Sequence, residues 1–274
     1  MAIGVCIETF FTDLPYRERI RKVKELGFST YEFWFHDKRF DGSSLIDEAK
    51  DFDEIAGLNR ELGLTTTDFV LNHPDGGVVG ALIDAGDRNL ILDSLEEMLA
   101  LARKIGCKAF ISGSGNTRPG LRREEAIENM VVTLRAAAEV CARDGVTLIL
   151  EPFNSKVDHP EYFLDDPATC VEVLEAVDHP NAKMLFDIYH MQIMSGNILA
   201  FVRENLRHIG HFHIAGVPGR HEPEECELNY PYIVREIEKM GYRGHFGLEY
   251  WPTVDPAASL RRTKQYLGAR SRGA

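Results

Sequence analysis

The sequence predicts a single-domain α/β protein, a (β/α)8 TIM barrel spanning residues 1–274, and three observations carry that reading. Short apolar runs alternate with amphipathic stretches through eight strand–helix units, with no break in composition to mark a second domain. Several of the runs, such as Thr147–Leu150 and Met184–Phe186, are continuously apolar, as strands are when helices cover the sheet. Four polar residues, Glu151, Asp187, His213 and Glu249, each close one of four successive strands. In a parallel barrel those C-terminal strand ends meet on one rim.

Taken in order, Ile3–Glu8 reads as the first strand. Pro15 opens a helix that stops at Leu26-Gly27, with Pro at the first turn and Gly at the stop. Thr30–Phe35 is an aromatic-rich second strand, followed by a helix across Leu45–Leu62 ending at Gly63. Leu64–Leu71 is the third strand, and the loop through Asp75-Gly76-Gly77 leads to a helix from Asp87 to Ile105. Lys108–Ser112 is the fourth strand, with a helix over Arg123–Arg143. Val146–Glu151 is the fifth, and after a long loop its helix runs from Asp166-Pro167 to Val177. Ala182–Asp187 is the sixth strand, with a helix near Ile198–Leu206. Ile209–Ile214 is the seventh, then a long loop and a helix from Pro231 to Met240. His245–Tyr250 is the eighth, and Pro256 starts the last helix.

Composition narrows the function. With 44% hydrophobic and 27% charged residues the chain can bury a sizeable core. A net charge of −12 excludes a phosphate-tracking surface, so no nucleic-acid partner and no anionic-membrane partner is expected. Basic residues cluster in Arg261-Arg262-Thr263-Lys264, reinforced by Arg270 and Arg272, and read as a solvated final helix and frayed terminus. The five cysteines contain no C-x-x-C and are odd in number, which argues for a reducing, cytoplasmic setting. Residues 1–8 lack a basic leader and are interrupted by Glu8, the mark of a buried first strand rather than a signal peptide. No apolar run reaches the roughly 20 residues a membrane span needs.

Alternation of side chains places Glu151 on the face of Ile149, Asp187 with Leu185, His213 with His211, and Glu249 with Gly247. Three carboxylates and an imidazole on one rim repel one another unless a cation joins them. That donor set suits one divalent ion, Mn2+, Mg2+ or Co2+, with coordination positions left for substrate oxygens. His190, three residues after Asp187, is placed to donate to a substrate carbonyl oxygen; its structural alternative is a helix-start contact with backbone. Arg220, in a Gly- and Pro-shaped loop, is placed to hold a carboxylate or hydroxyl, the alternative being a rim salt bridge to Glu222, Glu224 or Glu225. His73 is a weaker substrate-binding candidate. Trp34, Phe35, Tyr250 and Trp251 are candidates for the pocket wall or for the core. Gly113-Ser114-Gly115 lacks the spacing of a phosphate loop.

Four segments together resemble the hydroxypyruvate isomerase family, within the xylose-isomerase-like group of sugar isomerase and epimerase barrels. They are Leu185-Phe186-Asp187-Ile188-Tyr189-His190-Met191-Gln192, Ala215-Gly216-Val217-Pro218-Gly219-Arg220-His221-Glu222-Pro223, Leu228-Asn229-Tyr230-Pro231-Tyr232 and Gly247-Leu248-Glu249-Tyr250. The resemblance implies that Glu151, Asp187, His213 and Glu249 hold the metal and that His190 and Arg220 contact substrate. Two positions depart from it. Hydroxypyruvate isomerases usually have Gln at the third ligand place, whereas His213 is what related ketose 3-epimerases carry. Those epimerases use a second Glu six residues past the first ligand, where this chain has Val157.

The implied chemistry is conversion of hydroxypyruvate to tartronate semialdehyde through an enediolate, with Glu151 and Glu249 as catalytic acid and base. The expected partner is a small hydroxy-keto acid or ketose, and the sequence leaves a homo-oligomer open. Competing readings are a ketose 3-epimerase or other sugar-acid isomerase, a metal-dependent keto-acid lyase or dehydratase, a DNA-repair endonuclease, and a sugar-acid binder without turnover.

Overall fold

Eight parallel strands close into a barrel in the computed structural model, which describes residues 2–77 and 79–268. The chain runs β1 (Ala2–Cys6), α1 (Tyr16–Glu25), β2 (Thr30–Phe33), β3 (Lys38–Phe40), β4 (Leu45–Asp47), α2 (Phe52–Leu62), β5 (Thr65–Val70) and α3 (Arg88–Ile105). It continues through β6 (Ala109–Ser112), α4 (Arg123–Ala142), β7 (Thr147–Leu150), α5 (Pro167–Val177), β8 (Ala182–Asp187), α6 (Ile188–Met194) and α7 (Ile198–Asn205). The final elements are β9 (Ile209–Ile214), α8 (Tyr230–Lys239), β10 (His245–Leu248) and α9 (Pro256–Gly268). Around the barrel the order is β1-β10-β9-β8-β7-β6-β5-β2, and β3 pairs with β4 in a separate two-stranded sheet.

Outward-facing aromatic residues fasten the strands to the helical layer. Phe33, Phe69, Phe110, Phe186, Phe212 and Phe246 are all buried, with Phe33 stacked on Phe69 at 5.3 Å and Phe212 on Phe246 at 5.3 Å. The barrel interior is divided. Val70, Ile111, Ile149 and Leu185 form an apolar cluster on the β5–β8 side. Glu32 of β2, Asp68 of β5 and His211 and His213 of β9 form a polar cluster in the same interior, all buried.

Two elements differ from the sequence expectation. Leu45–Asp47 is a strand, not the start of a helix, because Asp41 folds the chain into a hairpin: its Oδ1 accepts from the backbone N–H groups of Ser43 (2.8 Å) and Ser44 (3.0 Å). Helix α2 begins only at Phe52, where Asp51 caps it by accepting from the Asp53 and Glu54 N–H groups. In addition, α6 follows β8 without a loop, since Asp187 Oδ1 accepts from Tyr189 N at 2.7 Å and starts the helix. At the end of the chain, Arg261–Lys264 lie on α9, where Arg262 meets Glu224 at 3.0 Å; Arg270, Arg272 and the frayed terminus expected around them lie outside the described residues. Among the described helices none is long and apolar enough to cross a membrane.

The β3–β4 hairpin is fixed to the barrel by buried charge. Lys50 Nζ lies 3.1 Å from Glu8 Oε1 and also donates to the carbonyls of Phe35 and Lys38. Glu8 Oε2 accepts from Phe40 N at 3.1 Å, with Arg19 at 3.8 Å. A buried carboxylate that loses its partner is costly. Lys50→Met should therefore lower unfolding free energy by about 3–5 kcal/mol and the melting temperature by about 10 °C in thermal and urea unfolding.

Candidate metal centre and active site

Strand register brings the four rim residues together. Asp187 on β8 and His213 on β9 are direct neighbours, and His213 is opposite Gly247 on β10, two residues before Glu249. Glu151 follows β7 on the same inward face as Ile149. One donor atom from each of Glu151, Asp187, His213 and Glu249 lies within 4.8 Å of the others, and all four residues are buried. His213 Nδ1 stands 3.2 Å from Glu249 Oε2 and 3.7 Å from Glu151 Oε1.

Taken by themselves, these side chains are poorly satisfied. Glu151 Oε1, Asp187 Oδ2 and His213 Nδ1 are buried without a hydrogen-bond partner. Burial pushes the Glu151 carboxyl up to about 8, helped by the charges of Glu249 and Asp187. Burial likewise raises Asp187. Glu249 behaves oppositely: burial would raise it, but Arg220 and His213 hold it well below the usual carboxylate range. Burial also disfavours charging His213, yet Glu32 and Glu249 outweigh it and raise the imidazole well above its ordinary value. Orphaned acceptors from two carboxylates, Glu151 and Asp187, beside the Glu249 carboxylate and an unpartnered imidazole nitrogen fit a divalent cation, which would relieve the mutual repulsion. The chain thus has a divalent-metal-binding site.

The predicted substrate contacts divide into two groups. Arg220 sits in left-handed backbone (φ 58°), and its guanidinium donates to Glu249 Oε2 and lies 3.5 Å from Asp187 Oδ2. It does not form the rim salt bridge with Glu222, Glu224 or Glu225. Glu222 instead accepts from Thr253 N (3.0 Å) and Ser259 Oγ (2.8 Å), and Glu224 accepts from Arg262 and Thr263. His190 is fully buried. Its Nδ1 accepts from the Asn154 backbone N–H at 3.2 Å, leaving Nε2 as the proton-bearing nitrogen, 3.5 Å from Asp187 Oδ2 and without a hydrogen-bond partner. Burial, with Arg220 and His159 nearby, holds this imidazole well below its ordinary range, so it is a neutral donor.

Above the cluster opens a cavity of about 710 Å3, into which Glu151, Arg220 and Glu249 face. His73 lines it, paired with Asp75 Oδ1 at 2.5 Å and stacked on Phe35. Trp34, Phe35 and Trp251 form part of its wall, and the Trp34 indole N–H donates to Glu249 Oε1 at 2.7 Å. Tyr250 instead faces the helical layer, its hydroxyl 2.8 Å from both Ser259 and Thr263. Ser114 makes internal contacts, accepting from Leu164 N and donating to the Gly115 carbonyl.

Sequence reasoning missed three contributors. His159 lines the cavity from the loop after β7 and stacks on Phe153, a placement that no periodicity reveals. Glu32 and Asp68 lie beneath the rim with His211. An acid inside an apolar strand was the available signal for each.

A family profile described as the xylose isomerase-like TIM barrel matches residues 20–269. The chain is similar to a Danio rerio protein named hydroxypyruvate isomerase by inference, 33% identical over 97% of this chain and 96% of that one. It is also similar to the 2-oxo-tetronate isomerase of Pectobacterium atrosepticum, 31% identical over 90% of each chain. Among solved structures, one titled AP endonuclease, family 2, from Brucella melitensis superposes with a TM-score of 0.86 at 32% identity, covering 97% of this chain and 99% of that one.

Two outcomes are expected on titrating the protein with Mn2+ after chelator treatment. At a hundredfold excess over Kd the ion should stabilise the fold by about 2.7 kcal/mol, raising the melting temperature by about 5–10 °C, reversed by EDTA. Because Glu151 is protonated below about 8, the ion must displace a proton there. His213, held protonated by Glu32 and Glu249, must give up a proton as well, so affinity should climb as pH rises from 6 through 8, with proton release seen calorimetrically in buffers of different ionisation enthalpy.

Proposed function

The chain belongs to the xylose isomerase-like TIM barrel family, and on that premise we propose that it is a divalent-metal-dependent isomerase of a small hydroxy-keto acid. The reading rests above all on one observation: Glu151 and Glu249, with Asp187 and His213, face one cation-sized centre at the floor of a cavity. Hydroxypyruvate, giving tartronate semialdehyde, is the reaction we assign first. An oxygen-rich set without thiolate favours Mn2+, Mg2+ or Co2+, held by Glu151, Asp187, His213 and Glu249. The ion supplies positive charge where the enediolate develops.

The remaining steps belong to the chain's own groups. Arg220, at the cavity edge, takes the substrate carboxylate. His190 donates its Nε2 proton toward the carbonyl oxygen. One of the two glutamates removes the proton from C3 and the other carboxyl supplies a proton to C2 from the opposite side. The C3 hydroxyl also gives up its proton and the C2 oxygen takes one up, so C3 ends as the aldehyde, C2 bears a hydrogen and its oxygen as hydroxyl, and the composition is unchanged.

A second reading is favoured by the size of the cavity. About 710 Å3 leaves room beyond a three-carbon acid, and a relative named 2-oxo-tetronate isomerase aligns over 90% of the chain. A four-carbon 2-oxo acid would undergo the same proton transfer. Ketose 3-epimerization has less support, because the side chain of Val157, two-thirds exposed at the cavity mouth, has no acid to offer. Nuclease activity is opposed by the net charge of −12.

The test is incubation of Mg2+-loaded protein in D2O with hydroxypyruvate, a 2-oxo-tetronate and erythrulose, followed by NMR. Isomerised product carrying solvent deuterium is expected for at least one keto acid. Binding without exchange would leave only a ligand-binding protein, and loss of water or CO2 would indicate a lyase. Glu249→Gln should lower kcat by about 10²–10⁴-fold. Near-normal turnover of this variant with metal bound would remove Glu249 from proton transfer.

A further inference from the structure

Beneath the rim, Glu32 of β2 projects into the barrel directly under His213. Its Oε1 lies 3.0 Å from His213 Nε2, and its Oε2 lies 3.0 Å from His211 Nε2. Among the described residues neither Glu32 Oε1 nor His213 Nε2 has a hydrogen-bond partner, so each is left facing the other, and both residues are at most 1% exposed. His213 therefore turns one ring nitrogen, Nδ1, to the rim carboxylates and the other to Glu32.

The surroundings of Glu32 make room for it and hold it. Gly247 lies alongside: a Cβ there would stand 2.2 Å from Glu32 Oε1 and 2.6 Å from Oε2, so a side chain larger than hydrogen would push the carboxylate aside. Thr67 Oγ1 donates to Oε2 at 3.4 Å, and Asp68 Oδ2 backs His211 at 3.7 Å. The two imidazoles draw the Glu32 carboxyl down to about 2 despite its burial, while burial and Glu32 raise Asp68 to about 6.

We propose that Glu32 is a positioning residue: by accepting the Nε2 proton of His213 it fixes the ring tautomer and rotation that present Nδ1 to the cation. A metal-bound histidine that donates its second N–H to a carboxylate is held in one orientation and is made a stronger ligand. Glu32, Asp68, His211 and His213 also bring donor atoms within 4.8 Å of one another. Each Glu32 oxygen, however, already faces one imidazole nitrogen at 3.0 Å, so the carboxylate serves as counter-charge to both rings. The lower layer is thus a support for a single ion above it. The inference rests on the cation site of the proposed function.

The experiment measures Mn2+ affinity and stoichiometry by chelator competition for wild type, Glu32→Ala, Glu32→Gln and Gly247→Ala. Circular dichroism in EDTA verifies that each is folded. Wild type should bind one equivalent. Glu32→Ala should bind about 10–100-fold more weakly, and Glu32→Gln, which keeps an acceptor oxygen, should recover part of the loss. Gly247→Ala, which leaves Glu32 chemically intact, should also bind more weakly. With 15N-labelled histidine and Mg2+, the His213 signals should report protonation at Nε2 in wild type and a mixture of tautomers in Glu32→Ala. Should Glu32→Ala misfold, Gly247→Ala and the wild-type tautomer decide. Unchanged affinity in folded variants, or protonation at Nδ1, would overturn the role of Glu32 while leaving the cation site standing. Two equivalents in wild type would make the lower cluster a metal site instead. No binding by wild type would remove both proposals.

Discussion

Three carboxylates, from Glu151, Asp187 and Glu249, are buried at one end of the barrel with His213, and the rest of the architecture answers to that concentration of charge. Like charges in a dry site suppress one another's ionisation or recruit a counter-charge. The chain brings several: Arg220 over Glu249 and Asp187, the Trp34 indole on Glu249, and an imidazole between the acids. Arg220 and His213 share Glu249 Oε2, and the indole takes Oε1. Asp187 shows the economy of the arrangement, with Oδ1 capping α6 and Oδ2 turned to the site. One aspartate thus starts a helix and offers an acceptor to the rim.

The interior below the rim divides along the same line. On the β5–β8 side, Val70, Ile111, Ile149 and Leu185 pack as an ordinary apolar core. Beside that cluster the space goes to Glu32, Asp68 and His211, with Gly247 giving clearance. Buried polar groups of this kind cost stability unless they are paired. Their placement directly beneath His213, rather than throughout the core, ties that cost to the site.

Much of this was legible in the sequence. Alternating apolar runs gave the barrel, and the acids and imidazole closing four successive strands marked the rim, because both signals are local and periodic. The hairpin at Lys38–Asp47 was not legible: its residues can take a helical pattern, and it is the Asp41 turn and the buried Lys50–Glu8 pair that decide against it. Tyr250 and Trp251 are adjacent, yet one enters the helical layer and the other the cavity wall, a distinction fixed by where the strand ends. His159 lies on a loop without repeat, so only folding brings it to the cavity. Glu32 stood in plain view among aromatic residues, but its two imidazole partners are 179 residues or more away in the chain.

The loop that carries Arg220 is moored at several points. The Arg220 carbonyl accepts from Trp251 N at 2.8 Å, Glu222 grips Thr253 and Ser259, and Glu224 grips Arg262 and Thr263. The loop that bears the guanidinium is therefore tied to α9. Two glutamate tethers, Glu222 to Ser259 and Glu224 to Arg262 and Thr263, thus join α9 to the loop that carries the cavity's guanidinium.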